Sequence, residues 1–197
     1  MRKVSVVSFL VLLSALVAVA QAQEFKVDPV HSSAQFKVKH LMVSTVVGRF
    51  TDLAGTILYD AQDPAKSRVE AVVKTASIDT ENATRDKDLR DNYFEVTKYP
   101  EMTFKSTKVE KRGDQWVAIG PLTIKDVTKN IEVPFEVNAV DSPRGKILGA
   151  SATFKVNRHD YHVNKGGVID NGAVVGSDIA IELNVEARPP APAPAAK

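Results

Sequence analysis

The 197-residue sequence contains no cysteine. That absence excludes disulfides, thiolate nucleophiles, cysteine-ligated zinc, iron–sulfur clusters and a lipid anchor on an N-terminal cysteine. The chain also lacks a long run of one charge sign, with 26 basic and 24 acidic side chains, so no basic stripe is available to track a phosphate backbone. There is no phosphate loop, no G-x-G-x-x-G and no glycine-rich turn opening a helix, which removes the usual nucleotide cradles. No G-x-S-x-G elbow accompanies Ser32 and Ser33 beside His31, so a serine nucleophile has no oriented base and acid. Helical periodicity is scarce, and no segment repeats with a period of 20 to 50 residues.

At the N-terminus, Arg2 and Lys3 precede an apolar stretch from Val4 to Ala20, followed by Ala20-Gln21-Ala22. This is the layout of a secretory signal peptide with cleavage after Ala22. The expected location is therefore periplasmic or secreted, with no stable membrane insertion after cleavage. Losing Arg2 and Lys3 leaves the mature chain balanced in charge. At the other end, residues 188–197 read RPPAPAPAAK, a composition expected to form an extended, disordered tail. One domain over residues 23–187 lies between them.

Within that domain the apolar period is two, as in a strand with one buried face. Ala34, Phe36 and Val38 alternate with Gln35, Lys37 and Lys39. Ile131, Val133, Phe135 and Val137 repeat the pattern, as do Ile179, Ile181, Leu183 and Val185. Such alternation fits antiparallel sheet. About eight strands are expected, near residues 31–40, 46–60, 67–78, 101–110, 115–124, 129–140, 146–157 and 174–187. A single helix is expected over 82–94, with Leu89 and Tyr93 on its apolar side and Arg85, Asp86, Lys87, Asp88, Arg90 and Asp91 facing solvent. Long one-sided strands leave exposed edges unless the sheet closes. The expected fold is accordingly all-β with one short helix, a lipocalin-like eight-stranded antiparallel barrel enclosing an apolar cavity.

Four histidines are the remaining chemical candidates. His159 and His162 lie in a glycine-rich loop, without the helical spacing or glutamate of a metalloprotease, so no metal site is assigned. His40 shares the parity of Phe36 and Val38 and is expected to point inward at the end of its strand, as a hydrogen-bonded structural residue or a ligand contact. No catalytic residue emerges, and a barrel with a greasy inner face points instead to an apolar ligand.

Several short motifs carry a resemblance to a known group. They are Asp28-Pro29-Val30-His31-Ser32, Phe36-Lys37-Val38-Lys39-His40, Val47-Gly48-Arg49-Phe50, Ala76-Ser77-Ile78-Asp79-Thr80, Arg85-Asp86 with Leu89-Arg90, Tyr99-Pro100, Gly120-Pro121-Leu122-Thr123-Ile124, Val127-Thr128-Lys129 and Asn157-Arg158. In this order they resemble the YceI-like family of periplasmic polyisoprenoid- or lipid-binding proteins. Two positions depart from it: Asp88 stands where many members have histidine, and Asp126 where glycine commonly makes the turn. The resemblance implies a long apolar tunnel holding an isoprenoid, quinone-tail or fatty-acid-type ligand. It also implies no further cofactor, homodimers in some members and a link to stress in others.

The expected lining is Phe36, Val38, Phe50, Val73, Phe104, Trp116, Phe135 and Phe154, with His40 as a polar contact. Sequestering about 12 methylenes at ~0.8 kcal/mol each gives roughly 10 kcal/mol before the entropy costs of binding. Two alternatives remain beside the carrier: an enzyme using His31, His40 and His159, and a filled-core module that presents only its surface.

Overall fold

The computed structural model describes residues 22–143, 145–167, 170 and 172–191. Residues 1–21 of the expected leader and residues 192–197 of the expected tail lie outside them. Twelve strands are present among the described residues: β1 (Gln23–Val27), β2 (Ser33–His40), β3 (Ser44–Phe50), β4 (Leu53–Tyr59), β5 (Arg68–Lys74), β6 (Ile78–Asp79), β7 (Glu101–Lys105), β8 (Lys108–Arg112), β9 (Gln115–Ile124), β10 (Val127–Ser142), β11 (Gly145–Asn157) and β12 (Asp178–Arg188).

The sheet closes on itself. Around the ring the order is β1, β4, β5, β7, β9, β10, β11 and β12, and β12 pairs back with β1 through Lys26 opposite Arg188 and Val27 opposite Ala187. This is a closed eight-stranded antiparallel barrel, so its ring strands have no free edge. The other strands lengthen it. β2 pairs with the earlier part of β12, from Ala180 opposite Lys37 to Asn184 opposite Ser33, so β1 and β2 are successive halves of one bent strand. β3 pairs with β2, and β4 with β1.

These bends explain where the sequence reading needs correction. The run expected over 46–60 breaks at Thr51 and Asp52, and the run over 101–110 breaks at Ser106. At the second break, the Ser106 hydroxyl accepts from the Val69 amide at 2.9 Å and its own amide donates to the Val69 carbonyl at 2.8 Å. Gly120 faces this bend, and a Cβ there would lie 2.1 Å from the Lys105 carbonyl oxygen. β1 was not anticipated, because five residues containing only Phe25 and Val27 show too little alternation to read. β12 begins at Asp178 rather than 174 and continues through Arg188, one residue into the expected tail.

The helix forms where it was expected, as α1 (Ala83–Asp88) followed by a π-helical turn over Leu89–Tyr93. Asn82 caps it by accepting from the Arg85 amide at 3.0 Å, the usual way to satisfy an unpaired first-turn donor. Its charged face needs correction. Asp86 is 6% exposed and accepts from the Thr80 amide at 2.9 Å and from the Thr80 hydroxyl. Arg85 donates to the Thr80 hydroxyl and carbonyl at 2.8 Å each. Arg90 reaches the carbonyls of Ala76 at 2.8 Å and Ile78 at 2.6 Å. The physical reason is that residues 76–80 form only the two-residue strand β6, leaving backbone groups that side chains must satisfy. Lys87 and Asp91 do face solvent, paired with each other.

Two apolar clusters sit toward opposite ends. Phe25, Leu148 and Ala187 pack with Ile57 and Tyr59 where β1 meets β12. Tyr93, Ile124, Tyr161 and Val163 pack with Leu89, Phe94 and Met102 under the helix. Tyr161, in the segment that also holds His159 and His162, is therefore a core residue. Its loop is reached from β11 through a 3-10 turn over Arg158–Tyr161.

Candidate functional site

Between the two clusters the barrel encloses a cavity of about 650 Å³. Its wall follows from the strand period. Side chains at alternate positions share one face, and closure turns every such face toward the axis. From β10, Ile131, Val133, Phe135 and Val137 line the cavity; from β12, Ile179, Ile181, Leu183 and Val185; from β5, Val69, Ala71 and Val73. The wall is almost wholly apolar, so bound water would find few of the two to four polar partners it needs.

The structure places all nine residues singled out in the sequence around this one cavity: Phe36, Val38, His40, Phe50, Val73, Phe104, Trp116, Phe135 and Phe154. Phe36 and Phe50 pack with ring centroids 5.7 Å apart, and Phe50 meets Phe94 edge to face at 5.8 Å. Phe36 also leans over Gly48, where a Cβ would fall 2.3 Å from its ring. The glycine of the Val47-Gly48-Arg49-Phe50 motif thus makes room for an aromatic wall. Trp116 stands opposite Phe135 in the β9–β10 ladder. On β11, Ala150 and Ala152 face inward opposite Val137 and Phe135, and these small side chains leave the space empty.

His40 is exposed although it has the inward parity, and it pairs through an isolated bridge with Val175. The cavity therefore reaches the surface beside His40, Val174 and Val175, which all line it. Sequence reasoning missed the contribution of the helix: Arg85, Asp88, Leu89, Tyr93 and Phe94 also line the cavity. The i, i+4 spacing of Leu89 and Tyr93 was the signal available, but it does not say that a helix lies against a barrel opening. Asp88, the departure from histidine, accepts from Asn92 at 2.5 Å and from Lys165 at 2.7 Å. The Lys165 bond, followed by the Asn92 bond, holds its carboxyl below the ordinary range.

A buried ion pair fixes the loop beside the opening. Arg158 and Asp170 approach to 2.6 Å with side chains only 4% and 9% exposed. Arg158 also donates to the carbonyls of Gly176 and Val175 at 3.0 Å and of Val163 at 3.1 Å. Burial pushes the Asp170 carboxyl up, but Arg158 and the amides of Lys165 and Gly166 outweigh it, and the net shift is downward. Fully satisfied in this way, the pair escapes the penalty of an uncompensated buried charge.

His31 and His40 stand far apart. His31 bonds Asp28 at 2.9 Å, and its neighbour Ser32 bonds the Glu186 backbone, near the end of β12. His40 lies beyond the start of that strand, so most of its length, roughly 30 Å at 3.3 Å per residue, separates the two. His162 bonds Asp126 at 3.1 Å. In this turn it is Lys125, not Asp126, that takes the left-handed conformation, with φ of 53°. Among the described residues Asp28, His31 and Glu186 form one group with converging metal-ligand atoms. Arg188 already supplies its positive charge, 2.6 Å from Glu186 and 3.4 Å from Asp28.

Comparisons with known proteins agree with this architecture. The profile of the YceI-like domain matches residues 25–187. A UPF0312 protein of Photorhabdus laumondii is 36% identical over 154 residues, 77% of this chain and 80% of that protein. Protein YceI of Shigella flexneri is 36% identical over 149 residues, 73% and 78% of the two chains. Among solved structures, the YceI protein of Campylobacter jejuni is 33% identical, with a TM-score of 0.65 over 75% of this chain and 87% of its own. A polyisoprenoid binding domain from Saccharophagus degradans shares the fold at 17% identity, with a TM-score of 0.66 over 87% of this chain and 100% of its own.

Proposed function

Because the chain belongs to the YceI-like family, we propose that it binds one long-chain amphiphilic lipid, of isoprenoid or quinone type, inside the barrel, and carries or sequesters it without chemical change. The observation that carries this reading is the apolar cavity of about 650 Å³ that reaches the surface beside His40. At roughly 30 Å³ per water-sized group, it accommodates on the order of 20 carbon atoms. The likeness to a domain described as polyisoprenoid-binding adds support at the level of fold. A cavity of this size also disfavours a filled-core module, and the separation of His31 from His40 speaks against an enzyme that uses both.

Phe36, Val38, Phe50, Val73, Phe104, Trp116, Phe135 and Phe154 would contact the chain of the ligand, with His40 near its polar end. Affinity then comes from the tunnel, and the head group adds little. The leader pattern at residues 1–22 supports action in the periplasm after cleavage, where a long-chain lipid needs a protein shield from water. A role in stress protection, which the resemblance implies, would follow from holding such lipids during envelope damage. Native mass spectrometry of gently purified protein, followed by solvent extraction, tests the reading. Bound lipid of discrete mass is expected; apo protein that also takes up neither a quinone nor a fatty amide would overturn it.

A further inference from the structure

The turn joining β2 to β3 has an unusual composition for a surface turn. Leu41, Met42 and Val43 are 52%, 64% and 85% exposed, where glycine, asparagine, aspartate or serine normally stands. Leu41 and Met42 also hold φ of 49° and 58°, a left-handed region that bulky side chains rarely enter. The tip is nevertheless well anchored. The Leu41 amide donates to the Val174 carbonyl at 2.8 Å, and the Gly176 amide to the Lys39 carbonyl at 2.8 Å. These anchors fix three consecutive apolar side chains beside His40, Val174 and Val175, where the cavity reaches the surface.

The flank of this tip carries three lysines, Lys37, Lys39 and Lys155, against the acidic Asp178 and Glu182. Lys37 and Lys155 lie on one row across the sheet, both in register with Ala180, and Lys39 stands two residues closer to the tip. Lys37 pairs with Glu182 at 2.8 Å, while Lys39 and Lys155 have no ion-pair partner among the described residues.

We propose that this tip docks the protein on an anionic lipid surface. Leu41, Met42 and Val43 enter the acyl boundary, while Lys39 and Lys155 face the headgroups, which sets the cavity opening against the bilayer. This rests on the lipid-binding reading above, since it gives the docked opening something to exchange. Small apolar insertions bind membranes reversibly, and a second, electrostatic contribution adds to them without making attachment permanent. A carrier that must both arrive and leave requires that reversibility.

The test uses the mature full-length chain and vesicles of phosphatidylethanolamine with phosphatidylglycerol, against vesicles of phosphatidylcholine alone. Co-sedimentation with the anionic vesicles is expected, weakening as salt rises. The double variant Met42→Asp/Val43→Asp should bind ~10-fold or more weakly, and Lys39→Glu should weaken binding to anionic vesicles specifically. Lys39→Glu leaves Leu41, Met42 and Val43 in place, so it keeps the test decisive if the double variant fails to fold. Wild type that ignores anionic vesicles, or variants that bind as wild type does, would overturn the proposal. So would a tip-dependent dimer without vesicle binding, which would assign the surface to a second copy. Native mass spectrometry run in parallel separates the two readings: lipid retained without vesicle binding sinks only the docking, and vesicle binding by a protein that holds no lipid sinks only the carrier.

Discussion

Replacing Ala150 and Ala152 together by phenylalanine tests whether the space inside the barrel is what binds ligand. Both face the cavity from β11, opposite Val137 and Phe135 on one side and Val185 and Leu183 on the other. Each substitution adds six ring carbons in place of a hydrogen. A bonded ring carbon fills roughly half of the ~30 Å³ of a free water-sized group, so the pair would take up about 180 Å³, more than a quarter of the 650 Å³ cavity. A ligand that can then insert six fewer methylenes loses ~5 kcal/mol of transfer energy, an affinity drop of more than 1,000-fold. Uptake of a long-chain quinone, followed by tryptophan fluorescence from Trp116 on the wall, should therefore fall below detection. The lipid-free variant should melt at or above the wild-type temperature, because new apolar surface fills empty space. If the interior were instead already packed, the same change would destabilise the fold by ~1–3 kcal/mol through overpacking. Undiminished quinone uptake by a folded variant would refute the reasoning.

Three other outcomes follow from the same geometry. Gly48→Ala would put a Cβ 2.3 Å from the Phe36 ring, so a loss of about 1–3 kcal/mol is expected; an unchanged urea midpoint would contradict the close approach. Arg158→Ala strands the buried Asp170 carboxylate, at a cost of ~3–5 kcal/mol, and should make the segment around residues 163–176 the first site of limited proteolysis. Asp170 and Asp88 have lowered values in the folded state, so their contribution is complete above the ordinary carboxylate range near pH 4. It is lost as pH falls through the lowered values. Acid titration of Asp170→Asn should accordingly show a weaker loss of stability below about pH 4 than wild type, read by thermal melts across the range.

The residues that carried the family resemblance divide in an instructive way. Many are pins, two of which, Arg85 and Arg158, also touch the wall. Arg85, Asp86 and Arg90 tie the helix to residues 76–80, and Arg49 meets Asp79 at 2.9 Å. Thr75 donates to the Tyr99 carbonyl at 2.6 Å, and Arg158 gathers the loop beside the opening. They fix where the chain bends and crosses, and so identify the architecture. Phe36, Val38, His40 and Phe50 belong to both the motifs and the wall, but much of the wall, including Val73, Phe104, Trp116, Phe135 and Phe154, lies outside the motifs. That is why family membership alone does not name the ligand.

The sequence by itself determined the local pattern. Period-two alternation set which side chains share a face, and that parity placed Phe36, Phe104, Phe135 and Phe154 on the inner wall without knowledge of strand order. The spacing of Leu89 and Tyr93 amid charged residues marked the helix. What tertiary structure alone decided was whether the shared face enclosed space or solid core. Volume is a property of the whole closed ring: it depends on alanines at 150 and 152 meeting Val137 and Phe135 across a ladder, and on the angle at which Leu89, Tyr93 and Phe94 approach. The same holds for the burial of Arg158, and for that of Asp86, whose charge reads as solvent-facing until the backbone groups that need it are brought alongside. Nearest-neighbour chemistry is written along the chain, whereas empty space and paired charge arise only between segments that the chain itself keeps far apart.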